Sequence, residues 1–212
     1  MYIPRRYEEK DRDKVFAFIR ENSFGILISV KDGLLVATHI PLLLDRNPAG
    51  EDVLTGHISK GNEQKYSLTD GAKVLAIFAG PHAYVSPRWY TEMNVPTWDY
   101  IAVHAYGTVR IMEGDELKNA LSRLVDNYES GMPRPVKMDE IPEKVLHDDL
   151  RGIVGFEIRI EDLQAAYKLS QNRNEESYHN VVAHLGQGDD LSRRIASEMK
   201  ERAEELFNKG NE

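Results

Sequence analysis

The sequence predicts a mainly β chain of the α+β class: an antiparallel barrel, closed or nearly closed, with helices at its edges and a helical pair at its C-terminal end. Three observations lead there. Seven or so short strand-like segments are interrupted by a few helical ones, hydrophobic periodicity changes three times along the chain, and no internal repeat or low-complexity tract overrides that pattern. A doubly wound sheet is disfavoured, because Gly-x-Gly-x-x-Gly and a regular strand-helix alternation are both missing.

The elements follow in order. Asp11 to Asn22 reads as a helix: Val15, Phe18 and Ile19 recur at helical spacing, and Asp11 and Asp13 sit where the helix dipole favours acids. Phe24 to Val30 and Leu34 to Leu44 read as strands joined by Lys31-Asp32-Gly33, whose glycine tolerates the positive φ of a tight hairpin. Val53 to Ser59 is a third strand, Lys73 to Ala79 a fourth, and Ala83 to Ser86 extends the fourth beyond Gly80-Pro81. Trp98 to Met112 is the longest. Its Ile101, Val103, Ala105 and Val109 alternate with Ala102, His104, Tyr106, Thr108 and Arg110, which leaves one polar side. A helix over Gly114 to Tyr128 carries the stripe Leu117, Leu121, Leu124 and Val125; Pro142 to Leu150 reads as another helix and Ile153 to Ile160 as the closing strand. Glu175 to Leu185 and Asp190 to Phe207 form the helical pair, the second with a stripe of Leu191, Ile195, Met199 and Leu206. We expect a barrel domain over residues 1–165 and a helical extension over 166–212 that packs on the barrel or on a dimer partner.

Composition narrows the function classes. The 212 residues carry 35 acidic and 27 basic side chains, a formal charge of -8, so this is no basic nucleic-acid coat. Cysteine is absent, which removes disulfides, thiol nucleophiles and cysteine metal sites together. The first residues turn acidic where a signal peptide needs its apolar stretch, and no apolar run reaches the ~20 residues of a membrane span. The expectation is a soluble, cytoplasmic protein with no membrane partner.

Two local constellations stand out. In Gly56-His57-Ile58-Ser59-Lys60-Gly61-Asn62-Glu63-Gln64 a strand ends in a turn and a helix begins near Asn62; free amides there, the Ser59 hydroxyl and the Lys60 ammonium would cradle a phosphate. The competing reading is an ordinary cap, with Asn62 satisfying backbone donors and Lys60 solvated. The second constellation is aromatic. Tyr84 to Tyr100 holds both tryptophans, Trp89 and Trp98, on a proline-stiffened loop, which suits either a wall for a planar ring or a plug at a barrel end or dimer interface. The seven histidines show no metal-binding spacing, and no Gly-x-Ser-x-Gly elbow occurs; His104 with Tyr106 is a possible proton-handling pair or a hydrogen-bonded structural one.

Several blocks in order then resemble one family. Met1-Tyr2-Ile3-Pro4, Ala37 to Asp45, Gly56 to Asn62, Ala83 to Tyr90, Val95 to Tyr100, His104-Ala105-Tyr106-Gly107 and Lys168 to Arg173 look like the PaiB family of FMN-binding negative transcriptional regulators, from residue 1 to about 207. The resemblance implies a split β-barrel that forms a homodimer, holds FMN at the subunit interface and acts as a repressor connected with sporulation and protease synthesis. Carried over, it implies Ser59, Lys60 and Asn62 at the phosphate, His57, Trp98 and the Ser86 to Tyr90 loop with Trp89 on the ring side, and Lys168 and Gln171 closing the pocket. Where the family usually has Asn after Pro-Thr-Trp, this chain has Asp99, which either faces the ligand and repels a phosphate or faces solvent.

Two alternatives stand beside a flavin-binding regulator. One is an FMN-dependent oxidoreductase using a nicotinamide, in which the cofactor carries the chemistry; the other is a split barrel that binds or degrades haem, with His39, His104, His179 or His184 as iron ligands. A barrel whose ligand site has decayed is the remaining reading. Direct DNA contact is not supported by the net charge: Arg193, Arg194, Lys200 and Arg202 are interleaved with Asp189, Asp190, Glu198, Glu201, Glu204 and Glu205.

Overall fold

A computed structural model describes residues 1–207. The elements in order are α1 (Arg12–Glu21), β1 (Phe24–Lys31), β2 (Leu34–Pro41), β3 (Leu43–Arg46), β4 (Asp52–Ser59), β5 (Lys73–Val85), β6 (Thr97–Met112), α2 (Gly114–Glu129), α3 (Glu143–Arg151), β7 (Ile153–Lys168), α4 (Glu175–Leu185) and α5 (Asp190–Phe207). The strands form one seven-stranded antiparallel sheet in the order β2-β1-β5-β6-β7-β4-β3, so the class is α+β as the periodicity predicts.

Two compact units share these strands: residues 1–18, 79–104 and 164 onward make the first, and 19–78 with 105–163 make the second. In the second unit the Asp32-Gly33 hairpin forms as expected, with φ of 51° and 80°, and sets the β1–β2 register from Lys31 opposite Leu34 to Phe24 opposite Pro41. The predicted strand from Leu34 to Leu44 is two strands. β2 and β3 lie at opposite ends of the sheet order, yet only the fully buried Leu42 separates them, and its N–H donates to the Ser23 carbonyl at 2.8 Å. The chain therefore hands over from one sheet edge to the other within a single residue.

Helix α2 covers this unit's β6–β7 region through the predicted stripe. Leu117 and Ala120 bury against Met112, with Leu121, Leu150 and Ile153 packed around them. Gly155 of β7 makes that approach feasible, since a Cβ there would lie 2.1 Å from Leu117 Cδ1.

In the first unit α1 is capped by Asp11, whose Oδ1 accepts from the N–H groups of Asp13 and Lys14 at 3.0 and 3.2 Å. Phe18 meets Tyr167 edge to face at 5.9 Å, and its ring fills the space that a Cβ on Gly80 would occupy, 2.4 Å away. β5 runs unbroken through Gly80-Pro81, and the missing side chain at Gly80 leaves room for that ring. α4 and α5 pack through buried Tyr178, Val181, Ile195 and Met199, and the Tyr178 hydroxyl donates to the Met199 carbonyl at 2.8 Å. Ion pairs Lys14–Glu198 and Arg202–Glu9 tie α5 to the N-terminal residues. Of the predicted α5 stripe, Ile195 and Met199 are buried while Leu191 is exposed.

Candidate functional site

The predicted residues fall into two groups, one in each unit: His57, Ser59, Lys60 and Asn62 in the second, and Ser86, Trp89, Trp98, Lys168 and Gln171 in the first.

β4 ends at Ser59, and the chain turns through exposed Lys60 and Gly61 into a 3₁₀ turn at Glu63–Tyr66. The expected helix is that single turn, and the expected free amides are taken. The Lys60 N–H donates to the Gly152 carbonyl at 2.7 Å, the Gly61 N–H to Ser59 Oγ at 3.1 Å, the Asn62 N–H to the Ser59 carbonyl at 2.9 Å and the Gln64 N–H to Asn62 Oδ1 at 2.9 Å. The amide cradle is thus replaced by local turn bonds. Asn62 is the cap of the competing reading, its Nδ2 committed to Thr38 Oγ1 at 2.9 Å. Left for a ligand are the Ser59 hydroxyl and the Lys60 ammonium.

The corner is held from beneath by a residue that sequence reasoning missed. Gln64 is wholly buried, and its Nε2 donates to the Leu27 carbonyl, Ser29 Oγ and the Val36 carbonyl at 3.0, 2.9 and 3.2 Å. Ser67 Oγ adds bonds to Ser29 Oγ and the Gln64 carbonyl at 2.7 and 2.8 Å. The turn is thereby pinned to the β1–β2 hairpin. Its surface gathers cations despite the negative net charge: Lys31 and Lys65 each stand 4.9 Å over the Tyr66 ring, with Lys60 alongside in the chain.

A 430 Å³ cavity opens beside Ser59, lined by His57, Leu121, Leu124, Val125, Ile141, Leu146 and Leu150 among others, with Asp148 and Asp149 on its wall. That volume falls within the ~300–1,000 Å³ of small-molecule sites. Burial holds the His57 imidazole below its ordinary value, which favours a neutral ring. An apolar hollow with the Ser59 hydroxyl on its lining, next in the chain to Lys60, has room for a flat ring system. Asp148 and Asp149 would repel a phosphate from their part of the wall.

In the first unit most of the predicted side chains are already committed. Gln171 folds back on its own loop, accepting from the Leu169 N–H at 2.7 Å and donating to the Tyr167 carbonyl. Ser86 caps the turn Pro87–Trp89, Lys168 donates to Thr97 Oγ1 and the Trp98 carbonyl, and Trp89 stacks on His184 at 4.9 Å. Trp98 is the one left open, 54% exposed.

Asp99 does neither of the things expected of it. It is fully buried: Oδ2 accepts from Ser170 Oγ at 2.6 Å, and Oδ1 has no hydrogen-bond partner. Burial pushes its carboxyl up to about 6, opposed by the Ser170 hydroxyl and by Lys168 and Arg173. Burial likewise lowers Lys168, with Asp99 pulling the other way. Asp99 is a strut under the Lys168–Gln171 loop, whose Ser170 sits at a φ of 58°.

Solved structures of low sequence identity share the fold of this seven-stranded antiparallel sheet and its helices. The FAD and heme binding protein from Mycobacterium smegmatis superposes with a TM-score of 0.57 at 17% identity, over 76% of this chain and 73% of that one. The flavocytochrome Anf3 from Azotobacter vinelandii gives 0.57 at 12%, over 78% and 72%. The chain belongs to the FMN-binding family whose model, described as "Putative FMN-binding domain", matches residues 1–162, and FMN is the cofactor that this membership brings. The PaiB resemblance holds as well: the chain is 41% identical to the protease synthase and sporulation protein PAI 2 of Bacillus subtilis over 201 residues, 95% of this chain and 97% of that protein. No helix among the described residues is long and apolar enough to cross a membrane.

Proposed function

We propose that this chain is an FMN-binding negative regulator of the PaiB type, a cytoplasmic homodimer acting in the control of protease synthesis and sporulation. The observation that carries the binding reading is the exposed Ser59–Lys60 corner, anchored on buried Gln64, with Ser59 on the lining of the His57 cavity. Ser59 donates its hydroxyl to the phosphate and Lys60 supplies the charge; neutral His57 and the aliphatic wall receive the ring and exclude water from it. When bound, the flavin supplies reversible hydride and electron transfer. The regulatory part rests on 41% identity to PAI 2 across nearly the whole of both chains.

The basic residues of α5 do not favour a DNA-reading helix. Arg193 is paired with Asp190 and Arg202 with Glu9, so regulation runs through a partner protein or another face of the dimer.

Titrating FMN into apoprotein tests the binding reading. Wild type is expected to turn yellow and saturate, and Lys60→Ala to bind at least ~30-fold more weakly, the ~2 kcal/mol of a charge-assisted contact. Unchanged affinity in Lys60→Ala defeats the assignment. For the regulatory part, deletion of the gene should raise extracellular protease, with repression restored by wild type and not by Lys60→Ala. Light scattering should return about 48 kDa for two 24.2 kDa chains.

A further inference from the structure

The first unit contains a second cavity, of 410 Å³, and every residue that lines it belongs to that unit. Its walls are aromatic. Trp89 and His184 stack at 4.9 Å with 11° between their planes, which makes one flat wall. Trp98 forms the other, with the Tyr84 ring edge-on at 5.9 Å and His82 at 6.1 Å. Trp98 and Tyr84 remain 54% and 47% exposed, so this aromatic surface is concave and uncovered rather than spent on the core.

Its charge is one-sided. Asp189 is at the edge, Gln187 and Ser192 are the other polar contributors beside the two histidines, and neither lysine nor arginine lines the cavity. The Ser192 N–H donates to Asp189 Oδ1 at 2.8 Å. Of the two arginines that adjoin lining residues in the chain, Arg193 is engaged by the Gly188 carbonyl and Asp190, and Arg88, next to Trp89, is exposed. Tryptophan and tyrosine faces carry negative quadrupole charge and attract cations, and a flat ring adds stacking area that a compact ammonium lacks. A phosphate or carboxylate would meet the Asp189 carboxylate and the π-faces, with the Gln187 and Ser192 side chains and the first turn of α5 as its donors.

We propose that the cavity bounded by His82, Tyr84, Trp89, Trp98, His184 and Asp189 binds a small planar aromatic cation of the N-alkylated pyridinium or quinolinium class. The site goes beyond the flavin placement at Ser59, Lys60 and His57, none of which lines it, and gives Trp89 and Trp98 a ligand other than the flavin ring that the resemblance implies for them.

The test uses the flavin-loaded protein. Both tryptophans of the chain line this cavity, so intrinsic tryptophan fluorescence reports on it, with flavin absorbance followed alongside to register any release. Titration with 1-methylquinolinium at pH 8 is expected to quench with saturation at sub-millimolar concentration. Neutral quinoline should bind at least tenfold more weakly, and Asp189→Asn should weaken the cation at least tenfold while keeping its flavin absorbance and leaving quinoline unaffected. Tyr84→Leu should weaken both ligands. Linear, unsaturable quenching overturns the proposal, as does equal affinity for quinoline or an unaltered Asp189→Asn. Release of flavin by the quinolinium also overturns it, because the cavity would then be the flavin's own.

Discussion

Gln64 and Asp99 are both wholly buried polar side chains, and each ties down a segment carrying candidate site residues, one in each unit. They differ in charge. Gln64 is neutral, and its Nε2 alone finds three acceptors on the β1–β2 hairpin. Asp99 is ionisable, with one strong donor in Ser170; each of the two keeps one buried oxygen without a hydrogen-bond partner, Oε1 in Gln64 and Oδ1 in Asp99. A neutral anchor costs no charge desolvation at any pH, whereas a buried carboxylate is tolerated best when protonated. The corner at Ser59–Lys60 should therefore be held equally well from pH 5 to 8, and the Lys168–Gln171 loop should not.

The largest expected effect is on the neutral side. Gln64→Leu takes the side-chain donor from the Leu27 and Val36 carbonyls and from Ser29 Oγ, and we expect a loss of about 2–4 kcal/mol, the same at pH 5 and pH 8. Urea denaturation at the two pH values measures it, and FMN affinity should fall with it because the turn loses its register. A loss below ~1 kcal/mol, or one that depends on pH, removes Gln64 as the anchor.

Asp99→Asn tests the charged side. A carboxyl raised from 3.8 to about 6 on folding binds more protons in the native than in the unfolded state between those values. Its contribution is thus fully present below pH 4 and is lost as pH rises through about 6, a change on the order of 2–3 kcal/mol. Asparagine removes that dependence, so the variant should gain on wild type between pH 5 and pH 8. Lys168 loses its nearest carboxylate in the exchange, which trims the gain to about 1–2 kcal/mol. Parallel stability profiles for the two proteins would show that Asp99 does not titrate there.

The same two residues mark how far the sequence could be read. Strands with local causes were legible: Asp32-Gly33 fixes a hairpin through its own φ preference, and β6 shows its period of two over 16 residues. The last stretch of β7, Glu161 to Lys168, was not, because it opens with two acids and lacks alternation; there Ala165 and Ala166 are held by pairing with Glu8 and Glu9 far away in the chain. At the site, Ser59 and Lys60 were visible as a strand-end turn. What the turn's amides do was not, since the Lys60 N–H is spent on Gly152, 92 residues along the chain. Asp99 was legible only as a departure from a motif, because the hydroxyl that accounts for it lies 71 residues away.

The smallest effect separates a working strut from a merely buried acid. Ser170→Ala keeps the Cβ, and with it whatever strain the φ of 58° imposes, and deletes only the donor to Asp99 Oδ2. That hydroxyl favours the ionised carboxyl, so removing it must push Asp99 further up. At pH 8 the charged hydrogen bond is lost, at a cost of about 1.5 kcal/mol, while at pH 5 the carboxyl is protonated and the loss shrinks to about 0.5 kcal/mol. The pH at which stability falls off should therefore move upward relative to wild type, and in Asp99→Asn the Ser170→Ala change should cost the same at both pH values. If the serine costs as much at pH 5 as at pH 8 in the wild-type background, the bond does not discriminate between the two forms of Asp99, and the pH response of the Lys168–Gln171 loop must be sought in Lys168 instead.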